Sequence, residues 1–126
     1  MDPIEEVLTL TFPARAGYLR ICRITTTTFA ADLGFDVDRL DDLRLAVDEA
    51  VTWLLRDEEA GGEVSLSLST SPGEIAIRGE RHSDAVPERN VDDLVHAILG
   101  ATLTSYDLRS EEGHRSIELR ATKSGE

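Results

Sequence analysis

The chain has 126 residues, 40% hydrophobic and 30% charged, with a formal net charge of −12. That length supports one domain, residues 1–126, able to bury roughly two thirds of the surface its unfolded chain exposes. Such an acidic surface repels nucleic acid, and no apolar run nears the roughly 20 residues of a membrane span. The N-terminal MDPIEEVLTL is acidic where a secretory signal is basic, and the single Cys22 can close no internal disulfide, so the expected location is the cytoplasm.

From Glu5 to Phe12, Leu8, Leu10 and Phe12 alternate with Thr9 and Thr11, a period of two that predicts a half-buried strand closed by Pro13. Arg15 to Leu33 has helical spacing, with Tyr18, Ile21, Cys22, Phe29 and Leu33 on one side. The run Thr25–Thr28 is its weakest part, because branched side chains lose rotamer freedom in a helix. Gly34 is a stop signal. Asp36 or Asp38 then caps a second helix reaching about Glu59, with an apolar stripe of Leu40, Leu43, Val47, Val51 and Leu54.

Val64, Leu66 and Leu68 alternate with serines, and after Ser71-Pro72-Gly73 the alternation resumes at Ile75 and Ile77, which predicts a hairpin with one dry face. Gly79 to Asn90 reads as a loop. Asn90 is the expected cap of a third helix, with Asp92 and Asp93 in its first turn and Val91, Leu94, Val95, Ile98 and Leu99 on its apolar face. Tyr106 and Leu108, then Ile117, Leu119 and Ala121, make a closing hairpin around Glu112-Gly113, and residues 123–126 form a frayed tail.

The order β-α-α-β-β-α-β-β defines an α+β two-layer sandwich: a mixed, mostly antiparallel sheet covered on one face by three helices, over residues 5–122. Nine acids and three arginines lie between Asp36 and Glu59. They suit a solvated helix face or, alternatively, a surface that steers toward a basic protein partner. His82, His96 and His114 fall in a predicted loop, helix and turn with no second ligand at metal spacing, so no metal site is expected. Cys22 reads as core.

Three stretches carry a family resemblance: Phe12-Pro13-Ala14 with Tyr18-Leu19-Arg20, the segment Leu40–Thr52 (LDDLRLAVDEAVT), and Leu99–Lys123 with its Glu111-Glu112-Gly113 turn. Together they resemble the anti-sigma serine kinases of the GHKL superfamily, which has the histidine-kinase-type (Bergerat) ATPase fold also used by gyrase and Hsp90. The resemblance implies a regulator that sequesters an alternative sigma factor and is released by a STAS-type anti-anti-sigma protein, and it implies a homodimer. It also places Arg20 where the family's first helix contacts its partners; otherwise Arg20 is an ordinary surface arginine. Asp41 and Asp42 are the candidate steering residues on the acidic helix.

The ATP-handling residues of that family are largely missing. Glu49 matches its catalytic base, but Trp53 stands where an Asn should bind Mg²⁺, and indole has no oxygen to offer a hard cation. The adenine-binding Asp-x-Gly-x-Gly is matched by Ile77-Arg78-Gly79-Glu80-Arg81, without the acid and with Arg81 for a glycine. The glycine-rich entry to the last helix reads Glu88-Arg89-Asn90-Val91-Asp92-Asp93, a poor phosphate cradle. Little room remains for an ATP lid. The expectation is therefore no ATP or Mg²⁺ cofactor, with Glu49 vestigial or salt-bridged and Trp53 either plugging the former pocket or simply a core aromatic. The alternatives are an active serine kinase using Glu49, and a dimeric scaffold.

Overall fold

A computed structural model describes residues 6–124. Five strands form a single sheet in the order β1-β2-β3-β5-β4: β1 (Glu6–Pro13), β2 (Glu63–Ser71), β3 (Glu74–His82), β4 (Ser105–Glu111) and β5 (His114–Thr122). Every pairing is antiparallel among the described residues, so the expected mixed sheet is not found. Three helices, α1 (Leu19–Asp32), α2 (Val37–Leu55) and α3 (Asp93–Thr102), lie on one face. The strand alternation decides which face is covered. Leu66, Leu68, Ile75, Ile77, Ile117 and Leu119 point inward and are fully buried, while Ser65, Arg78 and Arg120 face solvent.

The central helix α2 sits between α1 and α3 and presses Leu43, Val47, Val51 and Leu54 onto the sheet, each almost completely buried. Each such side chain contributes about 1.5–3 kcal/mol. Asp36 is its cap, accepting from the Arg39 N–H at 2.8 Å. α1 runs unbroken through the threonines because Thr26, Thr27 and Thr28 return their hydroxyls to the carbonyls of Cys22, Arg23 and Ile24 at 2.7–2.8 Å. Thr26 is fully buried in the face expected to be apolar, and Ile21, expected on that face, is 48% exposed. Residues 22, 26 and 30 define the inward stripe, and position 21 lies outside it.

Several boundaries differ from those expected. A 3-10 turn, Ala16–Tyr18, precedes α1, and β1 includes Pro13, tolerated at the end of an edge strand. α2 stops at Leu55 rather than about Glu59, because Asp57 adopts a left-handed conformation (φ 62°) and turns the chain. β3 continues to His82, so the loop predicted from Gly79 takes in the last four residues of the true strand. Asp92, not Asn90, caps α3, its carboxylate accepting from the Val95 N–H at 2.9 Å. Leu94, on the second helical position, is 68% exposed instead of buried. Lys123, assigned to the frayed tail, donates its backbone N–H to Gly73 O at 2.9 Å, and residues 125–126 lie outside those described, as does Glu5.

Candidate functional site

The distinctive site lies where α2 ends against the sheet. Arg81 of β3 and Arg115 of β5 are register partners, and both point inward with no exposed surface. Arg81 occupies the position where the family signature has a glycine. Its guanidinium donates to the carbonyls of Leu54 (3.1 Å), Arg56 (2.5 Å), Asp57 (2.8 Å) and Gly61 (2.9 and 3.0 Å). Arg115 donates to Arg56 O at 2.8 Å, Pro87 O at 2.9 Å and the Asp57 carboxylate at 2.5 Å. Two buried guanidinium groups thus take the carbonyls that the end of a helix leaves without partners, where its dipole favours positive charge.

Asp57 is the counter-charge. Beyond Arg115 it accepts two bonds from Arg89, both at 3.0 Å. Arg89 and Arg115 together hold its carboxyl well below the ordinary value of 3.8. Burial, reinforced by the like charge of Arg115, pulls Arg81 below its usual range. Arg115 Nε is buried without a partner.

Trp53 covers this cluster. Its ring is 4% exposed, lies 5.9 Å from the Arg115 guanidinium carbon, and donates Nε1–H to Asn90 O at 3.2 Å. The segment 83–92 between β3 and α3 is short and tied on both sides. Ser83 N–H donates to Gly113 O, Gly113 N–H to Val86 O, Arg89 N–H to Ser110 Oγ and the Ser83 hydroxyl to Ala60 O, at 2.6–3.1 Å. A cleft of about 110 Å³ remains beside it, lined by Glu49, Thr52, Trp53, Arg56, Arg89 and Asn90 among others. Pockets for small organic ligands commonly run about 300–1,000 Å³.

Glu49 and Trp53 share this cleft with Arg89, Asn90 and Asp92 of the helix entry, whereas Arg20, Asp41 and Asp42 do not line it. Glu49 is half-buried and has no ion pair among the described residues, so the expected alternative of a salt bridge is not found. Arg20 lies far along the chain on α1, exposed, beside the exposed Ile21 and Ile24. Asp41 and Asp42 face solvent near the start of α2, each ion-paired within its own helix, to Arg44 and Arg39, at 3.1 Å.

Sequence reasoning missed Arg115, Asp57 and Arg89. The first was within reach. Arg115 has the parity of Ile117, Leu119 and Ala121, as Arg81 has that of Ile75, Ile77 and Gly79, and strand parity alone turns both inward. Nothing local signals Asp57, whose role depends on the chain reversal after α2.

The fold and this site define a two-layer α+β domain, three helices on one face of an antiparallel sheet, with a buried arginine pair where α2 ends. No family model matches the chain. It is similar along nearly its whole length to the serine-protein kinase RsbW of Bacillus subtilis (strain 168), at 25% identity over 94% of this chain and 85% of that protein. RsbW of Bacillus licheniformis is 26% identical over 98% and 86% respectively. RsbW of Listeria innocua is 27% identical over 89% of this chain but only 60% of its own length. The crystal structure of the RsbU and RsbW domains of Rv1364c from Mycobacterium tuberculosis superposes with a TM-score of 0.72 over 94% of this chain at 15% identity, which establishes the shared fold. This chain covers 32% of that longer one.

Proposed function

We propose that this chain is an anti-sigma-factor-like regulator, holding an alternative sigma factor by contact and not by phosphoryl transfer. The observation that supports this reading is the burial of Arg81, Arg115 and Trp53 where relatives would hold nucleotide, in a chain 25% identical to RsbW over 94% of its length. Neither a phosphate cradle nor an Mg²⁺-binding oxygen from position 53 is left for ATP.

The partner surface includes α1, where Arg20 sits beside exposed Ile21 and Ile24, a charged anchor next to apolar side chains of the kind found at protein interfaces. Asp41 and Asp42 add long-range attraction, weakened by their own arginines. Release by a STAS-type antagonist and pairing of two copies through an open sheet edge complete the proposal.

Affinity capture from the native host tests it: a sigma factor in the eluate, lost with Arg20→Glu, supports the reading, and its absence refutes it. Charge reversal at Asp41 and Asp42 slows association at low salt; an unchanged on-rate removes the steering role. Sedimentation tests the dimer. The second reading, an active serine kinase, draws on Glu49 lining the cleft and on the similarity to serine-protein kinases. Titration with Mg²⁺ and ATP separates the two. Under the leading reading Trp53 fluorescence is unchanged to millimolar nucleotide, and micromolar binding overturns it.

A further inference from the structure

On the solvent face of the sheet, opposite the helices, the strand ends assemble a second cluster. β3 carries Glu80 and His82 two residues apart, hence on one face, and His82 is the register partner of His114 on β5. This corrects the sequence reading, which assigned the two histidines to a loop and a turn. The imidazole rings are 4.5 Å apart, and Glu80 Oε1 lies 3.2 Å from His114 Nε2. One ligand atom from each of the three falls within 4.8 Å of the others.

The surroundings are acidic. Glu63 of β2 is the register partner of His82, and Glu111 of β4 is that of His114, so the row across four strands reads Glu-His-His-Glu on one face. The nearest cations on this face, Arg78 and Arg109, are engaged by Glu118 at 2.8 Å and Asp107 at 2.7 Å. Two imidazoles and a carboxylate held on two adjacent strands, with further carboxylates on either side, attract a dication.

We propose that Glu80, His82 and His114 form a binding site for a transition-metal dication of the zinc class, with a fourth position open to water. The donor set of two imidazoles and one carboxylate is the one such ions accept in three-ligand sites. Tetrahedral coordination with bonds of about 2.0–2.1 Å sets neighbouring ligand atoms about 3.3 Å apart. Glu80 and His114 already meet that spacing, and the exposed His82 reaches it by side-chain rotation. The ion would clip β3 to β5 at the point where segment 83–92 leaves the sheet, beside the Ser83–Gly113 backbone bond of 3.1 Å.

Calorimetric titration of the metal-stripped full chain with Zn²⁺ is the test, with Co²⁺ as a spectroscopic stand-in. The expected result is one ion per chain with micromolar Kd, intense visible absorption from four-coordinate Co²⁺, and no displacement by millimolar Mg²⁺, which prefers oxygen ligands. At a hundredfold excess over Kd the Tm rises by about 10 °C. His82→Ala and His114→Ala each weaken binding at least about tenfold, as does Glu80→Gln. All three side chains lie outside the core, and circular dichroism verifies that the variants fold. Absence of binding at millimolar Zn²⁺ overturns the proposal. So does undiminished binding by the double histidine variant, which would put the ion on the acidic surface of α2 instead.

Discussion

Asp57→Asn isolates the electrostatics of the buried arginine pair. Asparagine tolerates the left-handed backbone of position 57 (φ 62°), so the substitution removes the charge without adding backbone strain. It leaves Arg115, whose side chain has no exposed surface, without a counter-charge. Breaking a buried pair in this way costs about 3–5 kcal/mol. The amide oxygen still accepts one bond, so the lower end, about 3 kcal/mol, is expected. The Arg89 arm adds less than about 1 kcal/mol, because that side chain is 39% exposed and screened by water. For a chain of this length the total corresponds to a fall in Tm of about 10 °C.

The same variant predicts a pH dependence. The two arginines depress the Asp57 carboxyl well below its ordinary 3.8, so its stabilisation is complete above that value and is lost as pH falls below it toward the folded-state value. Urea unfolding of both proteins from neutral to strongly acidic pH reads this directly. The gap between wild type and variant should be full at neutral pH and close at the acid end. A neutral-pH loss below about 1 kcal/mol would refute the reasoning, because it would mean that the helix carbonyls alone suffice to neutralise Arg115.

Gly79→Ala puts a methyl group 3.0–3.1 Å from Ile117 Cγ1, Leu54 Cδ2 and Leu66 Cδ1, all in the core, and should cost about 1–3 kcal/mol in urea unfolding. Asp36→Ala removes the cap of α2 and should cost about 1 kcal/mol by the same measurement. Cys22 is fully buried, and desolvation pushes its thiol up to about 11. A thiol reagent at mildly alkaline pH should therefore modify it only as fast as the protein opens, and reaction faster than unfolding would contradict the burial.

Element order was legible because hydrophobic periodicity is strong wherever a dry face exists: Leu66–Leu68 and Ile75–Ile77 alternate, and the α2 stripe repeats at helical spacing. The strand ends were not legible, and one cause accounts for both. Inward positions 81 and 115 hold arginine, so the apolar alternation ends at Gly79 on β3 and begins only at Ile117 on β5. Taken as loop and turn, those ends lost the buried arginine pair on one face. On the other they lost the His82–His114 pair. Glu49 and Trp53 were legible through the family resemblance of Leu40–Thr52, with helical spacing placing them on one face, whereas Asp57 and Arg89 meet through a chain reversal and a loop that no period encodes.

The arginines also bear on whether a single change can open the cleft beside Trp53 to a nucleotide. Trp53→Asn returns the metal-binding residue type that the family resemblance calls for at that position. The charges beneath it, however, are already matched: Arg81 by the α2 carbonyls, Arg115 by Asp57 and by carbonyl groups, Arg89 by Asp57. A triphosphate would have to break those bonds while finding about 110 Å³ of space. The variant also loses a buried indole, a change that costs about 3–5 kcal/mol in core positions. Equilibrium dialysis should find no retained Mg²⁺–ATP with Trp53→Asn, and none with Trp53→Asn combined with Arg81→Gly, because Arg115 and the tied segment 83–92 still fill the end of the layer. Micromolar nucleotide binding by the single variant would show that the indole alone had closed the site, and that the arginine cluster is only a helix cap.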